Sequence, residues 1–243
     1  VQVSSQRTTV FSEQNITAGI DALRNLPMAE GYMTASQVAY DLLTAGKTLE
    51  QIVDGDRKSY VMQYIDWKHI ENNAFHVTEE FAVSRTGMSD TYRPDIVLFV
   101  NGIPLCIIEC KRPDIKDSLN QAISQHLRNQ KDDGIRSLYV YSALLLSTNV
   151  NEVSYATTGT PKKFWNRWTE QFVDKTAEEL YRYKLSEKVN QKHVVSDISW
   201  KEYRMCAEPT VQYGSLKTPS IQDSYLYNLC RPDRLLNLMY RFT

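Results

Sequence analysis

The sequence predicts an α/β fold in which a central mixed β-sheet is flanked by helices and followed by a helical C-terminal appendage. Three observations carry that prediction. Two nearly continuous apolar runs, 96–100 and 105–110, have the composition of strands buried on both faces. A helix with one apolar face, 118–130, follows them directly. From about residue 160 onward strand alternation disappears and helical patterns take over. We therefore expect a core over residues 1–160 and a mainly helical extension over 161–243.

The elements follow in order. Asn15 or Thr17 is placed to cap a short helix that runs to Leu26, just before Pro27. Residues 34–43 form a second helix, with Val38, Ala39, Leu42 and Leu43 apolar and Gly46 closing it. Residues 60–67 and 74–83 read as strands, the second alternating through Phe75, Val77, Glu79, Phe81 and Val83. Ser118 is the expected cap of the helix carrying Leu119, Ala122, Ile123, His126 and Leu127 on its core face. Residues 137–146, with YVYSALLL, read as a strand, and 153–157 as an edge strand. Helices are expected over 164–185 and 222–242, with a polar middle near 186–197.

The bulk numbers narrow the function classes. With 243 residues and 42 % hydrophobic content, the chain can bury a substantial core. Its 28 basic and 29 acidic residues nearly cancel, so any nucleic-acid contact must come from local patches. The four cysteines (Cys106, Cys110, Cys206, Cys230) show no C-x-x-C spacing, which points to a reduced, cytoplasmic protein rather than a disulfide framework or zinc site. No segment reads as a membrane span or signal peptide. The chain starts at Val1 and stops at Thr243 inside a helical pattern, so we expect a fragment of something longer.

The chemistry-bearing stretch is YRPDIVLFVNGIPLCIIECK, residues 92–111. Asp95 opens the first apolar run, and Glu109 and Lys111 close the second, two positions apart and so on one strand face. A buried charge needs a partner or a metal. Two carboxylates can hold Mg²⁺, with the Cys110 carbonyl as a third ligand, and a neighbouring lysine can orient a water or stabilise a pentavalent phosphate. The bare letters are common here: RPD also occurs at Arg112–Asp114 and Arg231–Asp233, and D-x-K at Asp56–Lys58 and Asp114–Lys116. Only Asp95 leads into a strand paired through a turn with an E-x-K strand.

Register then makes a demand. A two-residue loop at Asn101-Gly102 would set Asp95 opposite Ile108 and send Glu109 to the other face. One shared metal therefore requires a three- or five-residue loop within 100–104, or a bulge. The following helix adds a polar stripe, Gln121, Gln125 and Asn129, from which Gln125 could support the site. Arg93 and Arg112 are candidate DNA contacts. Lys162, Lys163 and Arg167 interleave with Phe164, Trp165 and Trp168, a mixture read as a helix with its aromatics in the core. The four histidines lack metal spacing and read as structural, and Tyr181, Tyr183, Tyr225 and Tyr227 read as packing residues.

RPDIVLFVNGIPL followed by IECKRP, and then by a helix bearing Gln125, resembles the N-terminal nuclease domain of the restriction (R) subunit of type I restriction-modification enzymes. The flanking YIDWKHIENNAFHVTEEFAV and LYVYSALLLSTNVNEVSYATTGTPKKFWNRW, and the final LCRPDRLLNLMYRF, agree with that resemblance over about residues 30–243. It implies a PD-(D/E)xK restriction-endonuclease-like fold and Mg²⁺-dependent cleavage of duplex DNA. Asp95 and Glu109 would be metal ligands, Lys111 the catalytic lysine, and Gln125 the glutamine of a Q-x-x-x-Y motif whose tyrosine is Asn129 here. It also implies methylation and specificity subunits as partners, and an ATP-driven motor beyond this segment. No G-x-x-x-x-G-K-[ST] loop is present, so ATP belongs to that motor alone. The isolated fragment is expected to be poorly active or inactive. A non-cleaving DNA-binding or assembly module with the same fold is the alternative.

Overall fold

The computed structural model describes residues 11–190 and 216–242. The part of the expected polar segment beyond residue 190, with His193 and Cys206, lies outside the described residues. Two helices come first, α1 (Glu13–Arg24) and α2 (Tyr32–Ala45), with Ser12 rather than Asn15 or Thr17 accepting the capping hydrogen bond of α1. A hairpin follows, β1 (Lys47–Val53) and β2 (Asp56–Met62), turning at Asp54-Gly55, both with positive φ. That Asp-Gly pair is a hairpin signal, and it starts β2 four residues ahead of the strand expected over 60–67.

The central sheet has five strands in the order β3-β6-β7-β8-β9. These are β3 (Phe75–Glu79), β6 (Ile96–Val100), β7 (Ile103–Cys110), β8 (Leu144–Thr148) and β9 (Val153–Ala156). Only β7·β8 is parallel, so the sheet is mixed. The two greasy runs sit where expected, with β7 in the middle. The strand expected over 74–83 is shorter. Glu80 is left-handed (φ 46°) and turns the chain out of the sheet. Phe81 and Val83 then pack on the opposite face from Phe75. Val83–Ser84 (β4) and Thr91–Tyr92 (β5) form a separate ribbon.

Helix α3 (Ser118–Asn129) crosses one face, followed by the single turn α4 (Arg136–Tyr139). Ser118 does not cap α3: Asp117 precedes it in left-handed conformation, and the buried Ser118 hydroxyl accepts from Asn149. The run expected as a strand over 137–146 divides, α4 taking its first half and β8 its second. The Ser142 hydroxyl ties the joint, its single proton shared between the carbonyls of Pro104 and Leu138. The expected helix over 164–185 begins only at Lys175, as α5 (Lys175–Asn190). Helices α6 (Ile221–Leu229) and α7 (Pro232–Phe242) end the described chain.

The sheet separates two apolar clusters. One holds Ile108, Cys106, Leu144 and Leu146 against Leu43 of α2 and Leu229, Leu235, Leu236 and Met239 of α6 and α7. The other holds Val97, Ile107 and Leu145 against Ile135, Leu138 and Tyr139. Among the tyrosines expected to pack, Tyr225 is buried and Tyr181 meets Phe172 and Tyr227, whereas Tyr183 is exposed and bonds Glu187.

Candidate active site

The hairpin β6–β7 resolves the register question. Its loop is two residues, Asn101 (φ 51°) and Gly102 (φ 82°), so the longer-loop alternative fails. The bulge alternative holds. Val100 pairs with Ile103 and Phe99 with Pro104, but Leu98 pairs with Cys106, so Leu105 is the extra residue. Consecutive Leu105 and Cys106 both lie in the cluster under α6 and α7, where simple alternation would have separated them. Beyond the bulge Ile96 faces Ile108, and one step further sets Asp95 across from Glu109. Both then share the α3 face with Val97 and Ile107.

Asp95, Glu109, Cys110 and Lys111 meet there. Asp95 Oδ2 accepts from the Cys110 amide at 2.6 Å and lies 3.8 Å from Lys111 Nζ. Lys111 Nζ also donates to the Cys110 carbonyl at 3.2 Å. Glu109 is wholly buried. That burial, with the Asp95 charge adding to it and Lys111 opposing, pushes its carboxyl up to about 8. Burial likewise raises the Cys110 thiol to about 11, so it offers no thiolate.

A buried chain of polar side chains holds Glu109 from behind. The Asn129 amide donates to Glu109 Oε1 at 3.5 Å and to the Tyr139 hydroxyl at 3.4 Å. Tyr139 meets His126 Nδ1 at 2.9 Å, and His126 Nε2 meets the Leu146 carbonyl at 3.0 Å. A carbonyl only accepts, so Nε2 carries the proton and Tyr139 donates to Nδ1. Burial drives His126 down to about 4, which keeps it neutral in this role. His126 is thus structural, as expected. Trp165 stacks on its ring at 5.3 Å, while neighbouring Phe164 points outward.

Two buried oxygens near this point have no protein partner: Glu109 Oε2 and Ser147 Oγ. They belong to residues paired in register across β7 and β8. An orphaned carboxylate oxygen beside a second carboxylate and a backbone carbonyl fits a hard, oxygen-seeking cation. Among the described residues no group of three or more His, Cys, Asp or Glu side chains is placed to hold a metal. The oxygen donors available are two carboxylates and a carbonyl, a set whose chemistry suits Mg²⁺ better than zinc.

The other sequence candidates fall differently. Gln125 is half-buried and its side chain makes no hydrogen bond among the described residues; the polar stripe reaches Glu109 through Asn129 instead. Gln121 bonds the Lys116 carbonyl. Arg93 is exposed, two positions before Asp95, with no carboxylate partner among the described residues. Arg112 is exposed and forked onto Asp114, 2.5 Å away. The repeated letters prove inert: Lys58 pairs with Asp56 at 3.0 Å on an exposed strand, and Arg231 with Asp233. Tyr139 and Ser147 have no place in the sequence reading of the site, and Asn129 enters it only as a member of the polar stripe and at the motif's tyrosine position. For Asn129 a signal existed: it lies three positions after the core-facing His126, on the same helix face.

Among the described residues no helix is long and apolar enough to cross a membrane. A family model described as the type I restriction enzyme R protein N terminus matches residues 3–164. Three relatives agree. A protein of Methanocaldococcus jannaschii, provisionally named the MjaIXP endonuclease subunit of a type I restriction enzyme, is 32 % identical over 133 residues, covering 54 % of this chain and 12 % of its own. The type I restriction enzyme HindI endonuclease subunit of Haemophilus influenzae is 34 % identical over 118 residues, covering 47 % and 11 %. The SsaAORF53P endonuclease subunit of Staphylococcus saprophyticus is 30 % identical over 102 residues, covering 41 % and 10 %. The chain spans about a tenth of the length of these curated relatives.

Proposed function

Because the chain belongs to the family of type I restriction enzyme R protein N termini, we propose that it is the endonuclease domain of such a subunit, hydrolysing phosphodiesters of duplex DNA with Mg²⁺. The carrying observation is the register-shifted hairpin that puts Asp95, Glu109 and Lys111 on one face. Asp95, Glu109 and the Cys110 carbonyl would hold the cation. When bound, Mg²⁺ would offset charge on the phosphate and acidify a water.

The protein's own groups do the rest. The Asn129–Tyr139–His126 chain fixes one oxygen of Glu109 and leaves the other free to face a ligand. Lys111 carries three donors on a flexible stem, anchored between the Cys110 carbonyl and Asp95. From there it orients the attacking water and neutralises the phosphate as charge builds on it. Gln125 would support substrate rather than Glu109, and Arg93 would contact the DNA backbone. In the whole subunit, residues 161–243 would lead toward an ATP-driven motor, and the complex would include methylation and specificity subunits in the cytoplasm.

Calorimetric titration with Mn²⁺ tests the reading at its base. The 243-residue chain should take up one ion per site with release of a proton, more tightly at pH 8 than at pH 6, since Glu109 must ionise to serve as ligand. Asp95→Ala should abolish that binding while leaving the melting curve close to the parent's. Identical Mn²⁺ isotherms for the two proteins would sink the metal site and favour a non-cleaving module.

A further inference from the structure

We propose that Arg128 is a phosphate-binding residue of this site, gripping the backbone of bound duplex DNA from the flank of α3; the proposal rests on the nuclease reading above. Its side chain is exposed, yet it is held in one place. Its Cζ lies 4.5 Å from the centroid of the Tyr92 ring, three residues ahead of Asp95. Its Nε and Nη2 donate to Asn129 Oδ1 at 3.4 and 3.2 Å. The other end of that same amide faces Glu109. One amide therefore joins the guanidinium to the buried carboxylate, and the Arg128 charge acts on Glu109.

A comparison on the same ring separates a structural arginine from a ligand-seeking one. Arg85 also lies over Tyr92, at 4.6 Å, but it is clamped by Asp90 at 3.1 Å and Asp133 at 2.6 Å. Arg128 has no carboxylate partner among the described residues. Its neighbour in function by sequence, Arg112, is forked onto Asp114 and so already neutralised. A planar guanidinium over an aromatic face, with its Nη1 unbonded among the described residues and no anion of its own, is pre-organised for a phosphate. Duplex DNA supplies that anion, and the position beside Glu109 places the contact close to the cleavage point.

The experiment is fluorescence anisotropy of a labelled 20-base-pair duplex titrated with the 243-residue chain in Ca²⁺, over a range of salt. Mn²⁺ calorimetry is run on the same proteins. Arg128→Ala should weaken duplex binding about tenfold and reduce the salt slope by about one. Arg128→Lys should recover the slope but only part of the affinity, because the charge returns without the fork. Mn²⁺ uptake should be retained in both, since neither variant removes a proposed ligand. The proposal is overturned if Arg128→Ala binds duplex as tightly as the parent, if the parent shows no duplex binding, or if Arg128→Ala loses Mn²⁺ and DNA together. Failure of the parent to take up Mn²⁺ would instead strike the nuclease reading.

Discussion

Replacing Lys111 by alanine should lower DNA cleavage by the complete restriction complex about 10²–10⁴-fold, the usual effect of removing a group that acts only on the transition state. ATP hydrolysis by the same complex should be unaffected, because among the described residues the Lys111 ammonium bonds the Cys110 carbonyl and Asp95 alone. Mn²⁺ binding should survive too, since the ammonium is a neighbour of the proposed ligands and not one of them. Asp95→Ala should be as inactive as Lys111→Ala but should also lose the ion. This split distinguishes a positioning lysine from an ion pair that merely closes two strand ends. Unchanged cleavage in both variants would refute the enzyme reading outright.

Glu109→Gln should make the metal-free chain more stable at pH 8, by about 1–3 kcal/mol, while abolishing cleavage. The sign follows from the raised carboxyl. The usual value is 4.5, and burial lifts it to about 8 in the fold. Between those values the folded protein holds a proton that the unfolded chain has shed, so stability falls as pH rises through the window. Below about 4.5 both states are protonated and the penalty vanishes. Glutamine has no proton to lose and keeps the contact with Asn129, so it escapes the penalty. Urea unfolding in EDTA at pH 4 and pH 8 measures it: parent and variant should converge at the lower pH and separate at the higher. A variant less stable than its parent at pH 8 would mean that Glu109 is satisfied by the protein alone.

Much of this was legible in the sequence. The greasy runs around Asn101-Gly102 gave away the central strands because burial on both faces leaves no polar alternation. The demand for a register break also followed from counting residues. Its location did not: which residue bulges depends on packing of Leu105 and Cys106 against α6 and α7, far along the chain. The 137–146 run misled for a related reason. Its aromatic and branched residues suit a strand, but the Tyr139 hydroxyl is needed in the buried polar chain, and Ser142 bonds locally at the joint. The Asn129–Tyr139–His126 chain joins α3, α4 and β8, so no local pattern announces it. The charged candidates were found unevenly, since a sequence shows which residues are basic but not which ones have an anion beside them.

The extra residue at Leu105 has a consequence for how this hairpin can change. Its candidate site depends on parity. Each single insertion or deletion between Asp95 and Glu109 inverts which face Glu109 and Lys111 occupy, whereas a change by two restores it. Deleting Leu105 should thus cost the Mn²⁺ site even if the sheet still forms. Adding one residue between Asn101 and Gly102 to the deleted chain should return it, a rescue that calorimetry would reveal.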